Sequence, residues 1–109
     1  MKKIAVLALA LGAVLAAPAA AANPAQTSAS KTVSIVDFAF RPGTLTVAKG
    51  TKVEWVNSSG TTHTVTRAKG FNSGRLPSGE DFSVRFQKTG TFAYHCNIHP
   101  TMKGKIVVQ

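Results

Sequence analysis

Three side chains of metal-binding type fall within seven residues near the C-terminus: Cys96, His99 and Met102, spaced Cys-x2-His-x2-Met in the run His95-Cys96-Asn97-Ile98-His99-Pro100-Thr101-Met102. Thiolate and thioether suit Cu(I), and imidazole suits both Cu(I) and Cu(II). A Cys-His-His plane with a long bond to Met favours neither oxidation state strongly. Such a donor set fits copper that changes oxidation state without leaving its site. The segment needs a second imidazole. Phe92, Tyr94 and Cys96 alternate toward one face of their strand, so His95 points to the other and does not share a metal with Cys96. His63, upstream in a Thr- and Val-rich run, is then the remaining histidine of the three in the chain.

Taken singly, each of these residues has a plainer reading. A lone Cys is commonly a buried thiol, a strand His is commonly a satisfied one, and a Met fills core gaps. The conjunction is what carries the copper reading. A thiol enzyme with Cys96 as nucleophile and His99 as base would leave His63 and Met102 without roles.

The elements that must position these residues read as strands. Period-two alternation recurs in Thr51–Asn57 (Val53 and Trp55 against Lys52 and Glu54), Asp81–Gln87 (Phe82, Val84 and Phe86) and Thr91–Cys96. Thr32–Phe40 reads as a strand with a parity slip at Val36-Asp37, expected to be a bulge. Thr44–Ala48, Thr61–Arg67 and Lys105–Val108 complete the set. No window after the leader shows a helical stripe. The expected fold is all-β, a Greek-key β-sandwich of about seven to eight strands, with a small barrel as the other arrangement. Lys69–Glu80, rich in Gly and Pro, is the longest connection and is expected to cross between sheets. Trp55, Phe38, Phe40, Phe82, Phe86 and Phe92 are expected to fill the core.

Lys2 and Lys3 precede an apolar run from Ile4 to Ala17, and Ala20-Ala21-Ala22 offers a small-residue cleavage site. Residues 1–22 read as a secretory signal peptide, residues 23–31 as a flexible leader, and residues 32–109 as one domain. No membrane span is expected after cleavage, and the compartment is the periplasm. An unpaired thiol is a liability in an oxidising compartment, and metal coordination of Cys96 removes it. The chain of 109 residues is too short for separate substrate and cofactor domains, and one Cys excludes a disulfide framework. Thirteen Lys and Arg face four Asp and Glu; without Lys2 and Lys3, residues 23–109 keep eleven cations against four acids, +7. The charge reads as solubility or as steering toward an acidic redox partner, with Lys103 and Lys105 just past Met102. The cations are scattered and the chain is exported, so nucleic acid is not expected as a partner. Asn57-Ser58-Ser59 matches a glycosylation sequon and is read as coincidence.

From about residue 31 to the end, the chain resembles the cupredoxins, small type 1 (blue) copper proteins. The resemblance is most specific in Gly90-Thr-Phe-Ala-Tyr-His-Cys-Asn-Ile-His-Pro-Thr-Met-Lys-Gly104 and in Lys105-Ile106-Val107-Val108. Two residues between His and Met make a short ligand loop, more similar to amicyanin than to plastocyanin. Phe71-Asn-Ser-Gly74, with Leu76 and Gly79, is also similar to bacterial members. The resemblance implies one type 1 copper per chain, with Cys96, His63 and His99 as equatorial ligands, Met102 as axial ligand, and the His99 imidazole reaching the surface to pass the electron. It implies a one-electron carrier, not an enzyme, working as a monomer with redox partner proteins. Copper delivery or storage is the alternative, and a storage protein would give up its metal readily to chelators. In relatives with a short loop, the exposed His can leave Cu(I) on protonation, which His99 would share. The chain departs from the family at Thr64, where many members carry an Asn that braces the Cys loop. Thr64 is shorter and is expected to hold the loop less rigidly. It also departs at Thr101, where amicyanin has Phe, so a less apolar rim is expected around His99.

Overall fold

The structure, a computed structural model, describes residues 29–109. The expected signal at 1–22 and most of the expected leader at 23–31 lie outside the described residues. Seven strands are described: β1 Ser30–Val36, β2 Ala39–Arg41, β3 Thr44–Val47, β4 Lys52–Asn57, β5 Asp81–Arg85, β6 Gly90–His95 and β7 Lys103–Val108. They form two sheets, one in the order β2-β1-β4-β5 and the other β3-β7-β6. This is the all-β sandwich the alternation predicts.

Two pairings set the frame. β1 runs parallel to β4, from Ser30 opposite Lys52 to Ile35 opposite Asn57. In the second sheet β3 runs parallel to β7 while β6 is antiparallel to it. In β4 the alternation is plain: Val53 and Trp55 are fully buried while Lys52 faces water. The inward faces meet in a core of Val33, Ile35, Phe40, Val47, Val53, Trp55, Ile106 and Val108, among others. Trp55 sits at its centre, with the rings of Phe71, Phe82, Phe86 and Tyr94 at centroid distances of 5.7, 6.0, 6.4 and 5.3 Å.

Four expectations are corrected. The parity slip at Val36-Asp37 is a hairpin turn, with Val36 opposite Ala39, so one expected strand is two. Because Phe38 lies in that turn, strand parity does not govern it, and it is 60% exposed instead of in the core. Thr61–Arg67 is not a strand. Its backbone pairs singly with separate segments, through His63 with Leu76 and Thr66 with both Asn72 and His95. Lys69–Glu80 does not carry the chain from one sheet to the other, since β4 and β5 are antiparallel neighbours in one sheet. The crossing that follows β4 falls after β5, between Phe86 and Thr89.

Asn57 has no free acceptor or donor for a sugar. It is 1% exposed, its amide donates to the carbonyls of Thr61 and Leu76, and its oxygen accepts from Ser59. These bonds brace the start of the loop that carries His63.

Candidate metal centre

The centre is built where the β4–β5 connection meets the end of β6. His63 N–H donates to the Leu76 carbonyl at 3.1 Å and Leu76 N–H returns a bond to the His63 carbonyl at 2.8 Å, which locks the histidine's backbone. Thr66 and His95 exchange both backbone bonds at 2.9 Å, which ties this loop to β6 one residue before Cys96. Beyond Cys96 the chain closes a tight loop: Met102 N–H donates to the His99 carbonyl at 2.8 Å, and Cys96 N–H to the Met102 carbonyl at 3.1 Å.

The structure brings His63, Cys96 and His99 together, with one ligand atom of each lying within 4.8 Å of the others. The Nδ1 atoms of His63 and of His99 are each 3.8 Å from Cys96 Sγ. Two metal–ligand bonds of about 2.0–2.3 Å each span such a separation, so the donor set fits one ion held between sulfur and two imidazoles. His63 and Cys96 have no exposed surface, and Met102 is 2% exposed. Met102 is carried back beside Cys96 by the loop bonds. His99 is half-buried. His95 stands outside this group: its ring bonds Asn97 Oδ1 at 2.9 Å in an exposed position.

The sulfur and the loop are braced from the His63 side. Thr64 N–H donates to Cys96 Sγ at 3.3 Å. The Thr64 hydroxyl accepts from Asn97 N–H at 2.8 Å, so this position does bond the Cys loop despite its short side chain. That hydroxyl lies 3.0 Å from Thr66 Oγ1, which donates to Asn72 Oδ1 at 3.3 Å. With the Thr66 proton so used, Thr64 donates to Thr66, and both threonine hydroxyls have a partner.

Sequence reasoning missed two residues, both in the β1–β2 turn. Asp37 Oδ1 lies 3.1 Å from His63 Nε2. That His63 N–H is the main reason the Asp37 carboxyl is held below its usual range, with a hydroxyl bond from Thr61 adding to it. Phe38 packs against His99 at a centroid distance of 5.0 Å and meets His63 edge-on at 6.2 Å. The apolar rim missing at Thr101 is thus supplied in part from another element. The parity slip was the one sequence signal that this turn is unusual.

The family model described as a cupredoxin-like domain matches residues 5–108. Amicyanin-alpha of Methylorubrum extorquens is 33% identical over 103 residues, which are 89% of this chain and 87% of that protein. A reduced Cu(I) form of an amicyanin variant at pH 4 superposes with a TM-score of 0.70 at 28% identity, covering 76% of this chain and 85% of that one. A copper-containing nitrite reductase from Thermus scotoductus superposes with a TM-score of 0.66 at 30% identity, over 73% of this chain but only 22% of the enzyme's.

Proposed function

The chain belongs to the cupredoxin-like family, and on that premise we propose that it is a small blue copper protein that carries single electrons. The observation that carries this reading is the meeting of two imidazole nitrogens with the buried Cys96 sulfur, each at 3.8 Å. In this reading His63, Cys96, His99 and Met102 would hold the copper. Copper bound there supplies a one-electron Cu(II)/Cu(I) couple. The protein's part is to keep the donors in one arrangement for both states. Bonds from Thr64 to the sulfur and to the loop, and the backbone lock on His63, serve that end. Burial of Cys96 and Met102 excludes water from the sulfur donors, while half-buried His99 gives the site its route to the surface.

The carrier acts outside the cytoplasm, in the periplasm, after removal of residues 1–22, a placement supported by the leader's basic and apolar pattern. Its partners are redox proteins with an acidic docking surface. Of the eleven cations in residues 23–109, all but Arg67 are exposed, which supports that choice. A monomer suffices, since one chain supplies the whole donor set. Cupredoxin domains also occur within enzymes, as the nitrite reductase match shows; among the described residues His63, Cys96 and His99 are the one cluster of metal-ligating side chains, and we read the chain as a carrier only.

The test is the visible spectrum of the Cu(II)-loaded protein. An intense blue band that bleaches with a mild reductant and returns on reoxidation is expected, and Cys96→Ser should abolish it. Copper bound with a pale spectrum, exchanging readily with chelators, would instead make metal delivery or storage the function.

A further inference from the structure

His63 has no exposed surface, so the N–H on the far side of its ring from Cys96 cannot turn to water. A buried N–H without a partner is destabilising, since it gives up its bond to water and gains none. The only side chain bonded to it among the described residues is Asp37, at 3.1 Å. An ionised carboxylate only accepts hydrogen bonds, so this contact puts the ring proton on Nε2 and leaves the Nδ1 lone pair facing Cys96 Sγ. That is the tautomer a metal-binding imidazole needs. The same turn lays Phe38 against His99 through the next residue, so both imidazoles are flanked by one two-residue segment.

We propose that Asp37 is a positioning residue for the metal centre: by accepting the His63 Nε2–H bond, it fixes the ring's tautomer and orientation and sets a negative charge beside the site, which lowers the reduction potential of the bound copper. The proposal rests on the blue copper reading given above. The sign follows from electrostatics. A nearby anion stabilises the more positive oxidised ion more than the reduced one, and a carboxylate on the outer nitrogen makes the ring a stronger donor. The carboxylate is 39% exposed, so solvent screens the interaction in part, and the shift is smaller than a sealed ion pair would give. The other three acids of residues 29–109 lie on other elements, Glu54 in β4, Asp81 opening β5, and Glu80 just before it. Asp37 is the sole carboxylate in contact with an imidazole among the described residues.

The experiment compares the copper-loaded protein with Asp37→Asn, Asp37→Ala and, for an equal loss of charge elsewhere, Glu54→Gln. Potentials are read by voltammetry, and the His63 Nε2–H by proton–nitrogen NMR of the metal-free and Cu(I) forms. Asp37→Asn keeps an acceptor of the same shape, so the blue band should stay while the potential rises beyond that of Glu54→Gln. Asp37→Ala should raise it too and open the His63 N–H to solvent exchange. The proposal is overturned if Asp37→Asn and Glu54→Gln give the same potential, or if the His63 N–H is as protected in Asp37→Ala as in the parent. Should the parent protein show no thiolate–Cu(II) band, the carrier reading falls separately. The metal-free NMR then decides the positioning role: protection lost in Asp37→Ala supports it, and no protected Nε2–H in the parent overturns it.

Discussion

The hydroxyl of Thr64 stands between two parts of the chain that meet at the metal centre. It accepts from Asn97 N–H in the ligand loop and hands its own proton to Thr66, while the backbone N–H of the same residue bonds Cys96 Sγ. Thr64→Val keeps the shape and the sulfur bond but removes the hydroxyl. It leaves the Asn97 N–H and Thr66 short of a partner, a loss of about 1 kcal/mol, the low end of the range because Asn97 is itself exposed. Urea unfolding should show a lower midpoint with an unchanged slope. The blue band should persist with a changed potential, since the bond to sulfur survives and only the loop's support weakens. At this scale the ligand types and their spacing were legible in the sequence. The hydroxyl's bond from Asn97 was not, because the nearness of a residue 33 positions away depends on how β6 meets the loop.

At the scale of elements, the two strands that flank Cys96 and Met102 are joined by a close approach. Tyr94 on β6 is paired with Gly104 on β7, and a Cβ at Gly104 would lie 2.5 Å from both Cζ and Oη of Tyr94. The ring therefore crosses the neighbouring strand where only glycine leaves room. Gly104→Ala should destabilise the protein by about 1–3 kcal/mol through forced displacement of that ring, measured by thermal unfolding. Because Gly104 lies two residues past Met102 and Tyr94 two before Cys96, the visible spectrum of the copper form should shift as well. Alternation found β4, β5 and β6 because each has one buried face over a continuous ladder. It failed on Thr61–Arg67, where His63, Thr64, Val65 and Thr66 are all buried in succession. β-rich composition there reflects burial between loops, with backbone bonds going to Phe71, Ser73, Leu76 and His95 in turn. It also merged β1 and β2, because a two-residue turn and a bulge make the same slip in parity.

Across the whole molecule, the two sheets close on an aromatic core in which Tyr94 is 3% exposed and its hydroxyl has no hydrogen-bond partner. Burial pushes that hydroxyl up to about 12 from the ordinary 10.0. The unfolded chain then loses the proton first. Stability is unaffected below about pH 10, declines as pH rises from there to about 12, and levels off beyond. The chain has a single tyrosine, so tyrosinate absorbance reports this group alone. Its titration should be delayed by about two pH units relative to the chain in denaturant. A midpoint near 10 in the folded protein would mean that the ring reaches solvent and that the sheets pack more loosely around it.

The sequence by itself determined the donor chemistry, the all-β class and the inward face of most strands. These depend on residue type, short spacing and period, which are properties of a local stretch of chain. It also placed His63 in the donor set by elimination, and the fold then set its Nδ1 3.8 Å from the sulfur. Only the tertiary structure decided what surrounds those donors. The parallel pairing of β1 with β4 carries the Asp37–Phe38 turn to the end of the sandwich where His63 and His99 lie. Contacts between residues so far apart in the chain are set by strand order and register, and neither is written in the alternation of any single strand.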